Sequence, residues 1–567
     1  MVVSALASLG VQRVFGVPGG QTLAIMDAIR SEPRVTFIPV RHEGAAAVAA
    51  DAHGRLTGTP GVCLATTGPG ATNLLTGIGG ALRDSSPVIA ITCNNNGADL
   101  GKDDAQNADH VALFSPLVKS SRLIVDPRAI PQAIEEAYAL AVSGNPGPVH
   151  LDFARDAIEG HGVSYAPPKT HPLAGWARQR PRGDATLTHE AARRLSQAHH
   201  PVLWLGSGAA RSGAGDVALR LAGTLLIPVI TTFNGIGSVP MSHPLVFGVE
   251  SRMGTSLASA VLSDADLVLA VGNGLNAIST GRWRLALPDV IEVNIDPSAL
   301  GRYYAAQTLG IVGDARAVLE DLVQQLCPAE TLDAADPLAG VVAERGTWIA
   351  RLQMLKDRWW EEVRGEVSGD PPGDPLAPPQ VVTALRSAAP DETLLIADAG
   401  NVGVWSYLWE TRGFNRYMKP VGFGNMGFAV PAAIAAALLD DRRPVLALVG
   451  DGSLGMTLAE LETLGRVGGR VCIVTMNDAG YGNIRQEQEL KYAGRTIGVD
   501  YADTDYAAVA RAMGLKGERV TTLARLRECV TRALRSGDGP TLLDVPIDQR
   551  VNAWTYAPFL QHEPEDG

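Results

Sequence analysis

Pro444-Val445-Leu446-Ala447-Leu448-Val449 is an apolar run without alternation, bounded by Arg443 and followed by Gly450-Asp451-Gly452. A short, continuous, β-branched-rich run closed by glycine reads as a buried parallel strand ending in a tight turn. Asp451 then stands at the strand's carboxyl end. From Ser453 onward Leu454, Leu458, Leu461 and Leu464 recur at three- and four-residue spacing, which predicts a helix. Its first turn offers free backbone N–H groups, and Gly452 lets the main chain approach an anion. A second buried strand, Val471 to Met476, runs into Asn477-Asp478-Ala479-Gly480-Tyr481-Gly482. Two neighbouring strand ends thus present Asp451 and Asp478, and carboxylate, carbonyl and phosphate oxygens are what Mg2+ takes.

Three upstream segments carry independent information. They are Val14-Phe15-Gly16-Val17-Pro18-Gly19-Gly20, Arg41-His42-Glu43-Gly44 with its alanine run, and Gly61 through Thr66-Thr67-Gly68-Pro69-Gly70-Ala71-Thr72-Asn73. Glu43 closes a strand predicted over Val35 to Val40 and opens an Ala-rich helix, where a carboxylate can be half buried. With the downstream half, these segments resemble the thiamine diphosphate (ThDP) enzymes of the acetolactate synthase-like family. The family fingerprint opens with GDG, matched by Asp451 and Gly452, and closes with a pair of Asn residues. Asn477 matches the first of the pair, and Asp478 departs from the second.

The resemblance implies roles residue by residue. Asp451, Asp478 and the Gly480 carbonyl would hold Mg2+, which bridges the diphosphate. Glu43 would hydrogen-bond N1′ of the aminopyrimidine, favouring the tautomer whose nitrogen removes the thiazolium C2 proton. Gln106, in Asp104-Ala105-Gln106-Asn107, matches a family glutamine that reaches the cofactor. Met426, in Gly422-Phe423-Gly424-Asn425-Met426-Gly427-Phe428, would wedge between the two cofactor rings. Gly20, Thr67, Asn73, Asn401, Val402, Gly424, Gly450, Gly452, Ser453 and Tyr481 complete the implied cofactor contacts. Glu43 and Asp451 would meet across a subunit interface, which implies a homodimer or homotetramer.

Composition bounds the rest. With 567 residues and 46% hydrophobic content, the chain exceeds one core and suggests three domains. A formal charge of −12 without a basic cluster argues against nucleic acid. Cys63, Cys93, Cys327, Cys472 and Cys529 lack CxxC spacing and read as buried thiols of a reducing compartment. No membrane span or signal peptide is expected, Met1 to Val14 reading as an amphipathic helix, so a cytoplasmic location follows. Strand and helix patterns alternate in three blocks: a pyrimidine-binding domain over 1–165, a central Rossmann-like domain over 185–345 and a diphosphate-binding domain over 380–550, with a tail at 551–567. Linkers are expected at Tyr165 to Asp184 and at proline-rich Glu366 to Pro379. The fold class is α/β, with three doubly wound parallel-sheet domains and ligands at strand carboxyl ends.

The substrate side departs from an acetolactate synthase. The pocket candidates are Gln21, Lys119, Arg252, Asn483 and Glu487, a more polar set than pyruvate plus an apolar oxo acid requires. Burying Arg252 and Glu487 unpaired is costly, so they are expected to pair with each other, with Lys119 or with substrate. A ThDP- and Mg2+-dependent carboligase or decarboxylase acting on a 2-oxo acid follows. The alternatives are a 2-hydroxyacyl-CoA lyase or oxalyl-CoA decarboxylase-like enzyme, for which Arg211 is the phosphate-binding candidate, and a non-catalytic ThDP-binding protein. FAD or ADP in the central domain is left open.

Overall fold

The computed structural model describes residues 1–160, 165–251, 253–327, 337–367 and 375–556. Three six-stranded sheets succeed one another along the chain, and all their strand pairings are parallel. The first has the spatial order Thr36–Pro39, Arg13–Gly16, Gly61–Ala65, Val88–Asn94, Pro148–Ala154, Ser121–Ile124. The third has Tyr417–Met418, Leu394–Ala397, Val445–Gly450, Val471–Asn477, Thr541–Pro546, Lys516–Arg519. Both follow one connectivity: second, first, third, fourth, sixth, fifth strand. The central sheet differs, with Thr308–Val312, Asp289–Asn294, Leu267–Val271, Pro201–Leu205, Val229–Thr231, Val246–Val249.

Strand order locates the ligand crevices, because a doubly wound sheet opens where the chain reverses its winding direction. In the first and third sheets that switch lies between the first and third strands. The carboxyl ends there lead to Gly19 and Thr66 in one sheet and to Asp398 and Asp451 in the other. In the central sheet it lies between Pro201–Leu205 and Leu267–Val271, which lead to Gly206 and Gly272. Strands buried on both faces account for the unbroken apolar runs: Gly61–Ala65, Leu267–Val271 and Val471–Asn477 are buried throughout. The pyrimidine- and diphosphate-type layers join through helix Glu43–Thr57, which packs on helix Ala429–Leu439. Both helices are alanine-rich, so their backbones approach closely.

Several elements differ from expectation. The first helix covers only Val2–Ser8, because Gly10 (φ 87°) reverses the chain and Arg13–Gly16 joins the sheet as a strand. The leucine helix is two pieces, Asp451–Met456 and Glu460–Val467, broken at Thr457 (φ −129°), so that Leu454 and Leu461 are buried from different axes. Helix Pro337–Val367 runs through residue 345 and takes in Glu366, so neither expected boundary coincides with an element end. Its Arg345 is buried and donates to the carbonyls of Leu195, Ala198 and Leu225. The Tyr165–Asp184 stretch contains a 3-10 helix over Pro172–Arg178, tied down by the His171 N–H on the Ser8 carbonyl. Pro371 and Pro372 and residues 557–567 of the tail lie outside the described residues. All five cysteines are free and buried, and no described helix is long and apolar enough to cross a membrane.

Candidate active site

Glu43 is the first residue of its helix, whose N-cap, His42, accepts the Gly44 N–H on Nδ1. Glu43 is 8% exposed. Asn73 Nδ2 donates to its Oε2 at 2.9 Å, while a Cβ on Gly70 would come within 3.3 Å of Oε1. One oxygen is therefore fixed, and Oε1 has no hydrogen-bond partner among the described residues. Asn73 thereby orients the glutamate. A contact invisible locally completes the arrangement: Glu460 Oε1 accepts the N–H groups of Arg41 (3.0 Å) and His42 (3.1 Å), fixing the peptides that lead into Glu43. Burial raises the pKa of Glu460.

In the diphosphate-type domain, Val445–Gly450 and Val471–Asn477 pair with Gly450 opposite Met476, so Asp451 and Asp478 emerge side by side. Asp451 Oδ1 accepts from Gly452 N (2.9 Å) and Oδ2 from Gly480 N (3.2 Å). Burial and then the Asp478 charge push the Asp451 carboxyl well up. Asp478 is also raised by burial, and Arg485 opposes that rise. Two adjacent carboxylates, each raised by burial and Asp451 raised further by the Asp478 charge, suit a divalent cation, whose charge offsets theirs. The Gly480 carbonyl completes the oxygen set and accepts the Tyr501 hydroxyl at 3.2 Å. Gly452 lies under the Tyr481 ring, 2.9 Å from where its Cβ would be.

Asp398, at the carboxyl end of Leu394–Ala397, organises the loop bearing Met426. Its carboxylate accepts from Gly427 N (3.0 Å), Ala429 N (2.8 Å) and Ala399 N (2.8 Å), and buried Ser453 also bonds it. Met426 is half-buried and Gly424 is exposed at φ 68°. Asn401 heads a short helix after Gly400 (φ 85°), but its side chain is committed: Oδ1 accepts from Asn483 (2.8 Å) and Nδ2 donates to Gln486 (3.0 Å). Its backbone is what remains for a diphosphate. Val402 is buried beneath Gly450. Gln486 also holds the tail, donating to the carbonyls of Gln549 and Val551 and accepting Ala553 N.

The pyrimidine-type crevice is polar. Thr66 Oγ1 donates to Gln21 Oε1 (2.7 Å), Gln21 Nε2 to Asn95 Oδ1 (3.3 Å), and Asn95 Nδ2 to the Ala105 carbonyl (3.1 Å). This ladder fixes which end of the Gln21 amide faces which way. It lies beside Glu43, because the Cβ that Gly70 lacks would also meet Thr66 Cγ2 at 2.9 Å. Gly20 is exposed at the start of the adjoining 3-10 turn. Gln106 is exposed with φ 59°, its carbonyl packed over Gly68. Thr67 turns inward instead: its hydroxyl is buried among Asn94, the Gln106 carbonyl and His110. The Gly68 N–H donates to His110 Nε2 (3.0 Å), so the ring proton is on Nδ1, which donates to Asp152 Oδ1 (2.9 Å).

Three expected substrate contacts fall elsewhere or outside. Lys119 caps a helix, donating to the carbonyls of Leu140 (2.6 Å), Ser143 (2.7 Å) and Asn145 (2.9 Å) at the amino end of the sheet, opposite the crevice. Glu487 pairs with Lys491 (2.5 Å) one helical turn away rather than with Lys119. Arg252 lies outside the described residues. Sequence reasoning missed Asp398, Glu460, Asn95 and Arg485, whose partners, Arg485's aside, are brought in by the fold.

A cavity of about 390 Å³ lies away from these residues. It lies at the central-sheet switch, lined by Gly206, Gly272, Asn273, Asp296 and Asp314, with Asp84 from the first domain.

Three thiamine pyrophosphate enzyme families match the chain in series: the N-terminal TPP binding domain over residues 1–113, the central domain over 188–322 and the C-terminal TPP binding domain over 398–545. The chain is 33% identical to the probable acetolactate synthase large subunit of Methanocaldococcus jannaschii, over 96% of this chain and 91% of that protein. It is 32% identical to the acetolactate synthase large subunit of Corynebacterium glutamicum (98% and 87%). With the acetolactate synthase isozyme 2 large subunit of Escherichia coli it shares 31% identity (98% and 96%).

Proposed function

Because the chain belongs to the thiamine pyrophosphate enzymes, of the acetolactate synthase-like kind, we propose that it makes or breaks a carbon–carbon bond beside the carbonyl of a 2-oxo acid, with carboligation as the principal reaction. Thiamine diphosphate, when bound, supplies a thiazolium carbon that attacks a carbonyl and accommodates the electron pair released when CO2 departs. The observation that carries the proposal is Glu43, buried, with one oxygen fixed by Asn73 and the other without a hydrogen-bond partner among the described residues. A binding-only site has no use for an oriented carboxylate with one oxygen left unpartnered, whereas a proton relay needs one.

The remaining residues take supporting parts in this reading. Asp451, Asp478 and the Gly480 carbonyl hold Mg2+ against the diphosphate. The backbone at Asn401, with Gly450, Gly452 and Ser453, would hold the diphosphate, and Met426, on a loop that Asp398 holds, would pack against the rings. Gln21, oriented by Thr66 and Asn95, presents an amide to the substrate, so the second carbonyl compound bears a polar substituent. The central cavity has room and position for a nucleotide, FAD or ADP, at a Rossmann-type switch point. The thioester-lyase reading loses its phosphate candidate, because Arg211 is turned to the Asp84 carbonyl and Ser207. We further propose a homodimer or homotetramer whose sites combine Glu43 of one protomer with Asp451 of its partner.

The test is CO2 release and product formation from pyruvate and other 2-oxo acids with ThDP and Mg2+, for the native protein and Glu43→Gln. The variant should bind ThDP with unchanged affinity and lose about 10²- to 10⁴-fold in turnover, the range of one acid–base contribution. Near-native turnover at saturating cofactor would sink the assignment of Glu43.

A further inference from the structure

Arg485 belongs to a polar run, Arg485-Gln486-Glu487-Gln488-Glu489, that reads as a solvated helix face, yet it is only 5% exposed. Its guanidinium Nη1 donates to Asp478 Oδ2 at 3.1 Å and Nη2 to the Asp478 carbonyl at 3.4 Å, while Nε donates to Asp500 Oδ1 at 2.8 Å. The turn is shaped around this pair. A Cβ on Gly480 would run into the guanidinium, and a Cβ on Gly482 would run into Asp478 Oδ2. Asp451, by contrast, is held by two backbone N–H groups and has no cationic partner of its own among these contacts.

Resting on the Mg2+ reading above, we propose that Arg485 is the counter-charge that allows an aspartate to serve at position 478, and that it positions this ligand by occupying Oδ2 so that the cation is taken by Oδ1. A neutral amide at 478 would bring no charge into the turn and would leave the guanidinium to Asp500 alone. An aspartate brings one negative charge, and Arg485, shared with the more exposed Asp500, offsets it beside Asp451. Without Arg485 two adjacent carboxylates, one buried and one half-buried, would face each other unscreened before any cation arrives, and they would move apart. Arg485 acts through Asp478 and is a positioning residue, not a catalytic one.

The distinguishing measurement is a double-mutant cycle of Arg485→Gln and Asp478→Asn on the full-length protein. Two readouts are used: the melting temperature of the Mg2+- and ThDP-free protein, and calorimetric titration of Mg2+ at saturating ThDP. Arg485→Gln should lower the melting temperature and weaken Mg2+ about 10-fold or more, and Arg485→Lys should recover part of both. Adding Asp478→Asn to Arg485→Gln should bring Mg2+ affinity back to within about 3-fold of the native value and restore most of the melting temperature. A double variant as impaired as Arg485→Gln, or Mg2+ binding that is unchanged or tighter in Arg485→Gln, overturns the proposal. Failure of the Mg2+ reading is seen separately. Asp451→Ala would then keep Mg2+-dependent ThDP binding, while the cation-free melting cycle still decides whether Arg485 compensates Asp478.

Discussion

Glu43, Asp451 and Asp478 were visible in the sequence because each stands at a strand end beside its own glycines. Asp398, Glu460 and Asn95 were not, since the groups they hold are distant in sequence or carry no side-chain signature: Glu460 bonds peptides 418 and 419 residues away, and Asp398 takes backbone N–H groups 29 and 31 residues on. The same limit explains the substrate side. Gln21 and Glu487 looked alike as isolated polar residues, but the fold gives Gln21 an oriented place in the crevice and gives Glu487 a lysine on its own helix. Gln21→Leu should therefore change the ranking of acceptor 2-oxo acids, by kcat/KM, about 10-fold or more, which is about 1.4 kcal/mol. Glu487→Ala should leave that ranking unchanged, since an exposed i,i+4 pair contributes only a few tenths of a kcal/mol. The reverse pattern would move the specificity pocket to helix Gly482–Lys491.

At the level of elements, apolar β-branched runs marked the buried strands well: Pro201–Leu205, Leu267–Val271 and Leu394–Ala397 fall where expected. Helix ends and breaks were less legible. The interruption between Met456 and Glu460 serves the site, since it turns Glu460 toward Arg41 and His42 and places Thr457 beside Gly427. Gly427 has φ 79°, and a Cβ there would sit 2.9 Å from Thr457 Cγ2, whereas Gly424, at φ 68°, has nothing within 4 Å. Left-handed backbone costs an L-residue about 1–2 kcal/mol. Gly424→Ala should thus cost about that strain alone, and Gly427→Ala should cost more, by denaturant melts, and also weaken ThDP binding because the Met426 loop must shift. Equal effects would mean that the helix break does not support the loop.

The three domains converge on Asp84. Its carboxylate accepts from Arg55 Nη2 (2.7 Å), Asn234 Nδ2 (2.7 Å) and Gly422 N (2.8 Å), so it bonds residues of the first, central and third domains at once. Nearby, Lys419 is buried with its ammonium 3.0 Å from the Tyr407 hydroxyl and over the faces of Phe233 (4.9 Å) and Tyr407 (5.0 Å). Gly403 makes the room, since a Cβ there would lie 2.5 Å from Lys419 Cε. Burial lowers the Lys419 pKa to about 7, with the Asp84 charge opposing the fall. A group depressed in the folded state adds stability that is present above its unfolded pKa and is lost as pH falls toward the folded one. The window here runs from the ordinary lysine value of 10.5 down to about 7, with a slope of at most about 1.4 kcal/mol per pH unit. Lys419→Met keeps the apolar stem and removes the titration. Relative to the native protein it should therefore be more favourable at pH 7 than at pH 9.5, and the difference in melting temperature should shrink as pH rises. A difference that does not vary across that window would place the ammonium in contact with water and remove the aromatic cage from the account of how the domains are held together.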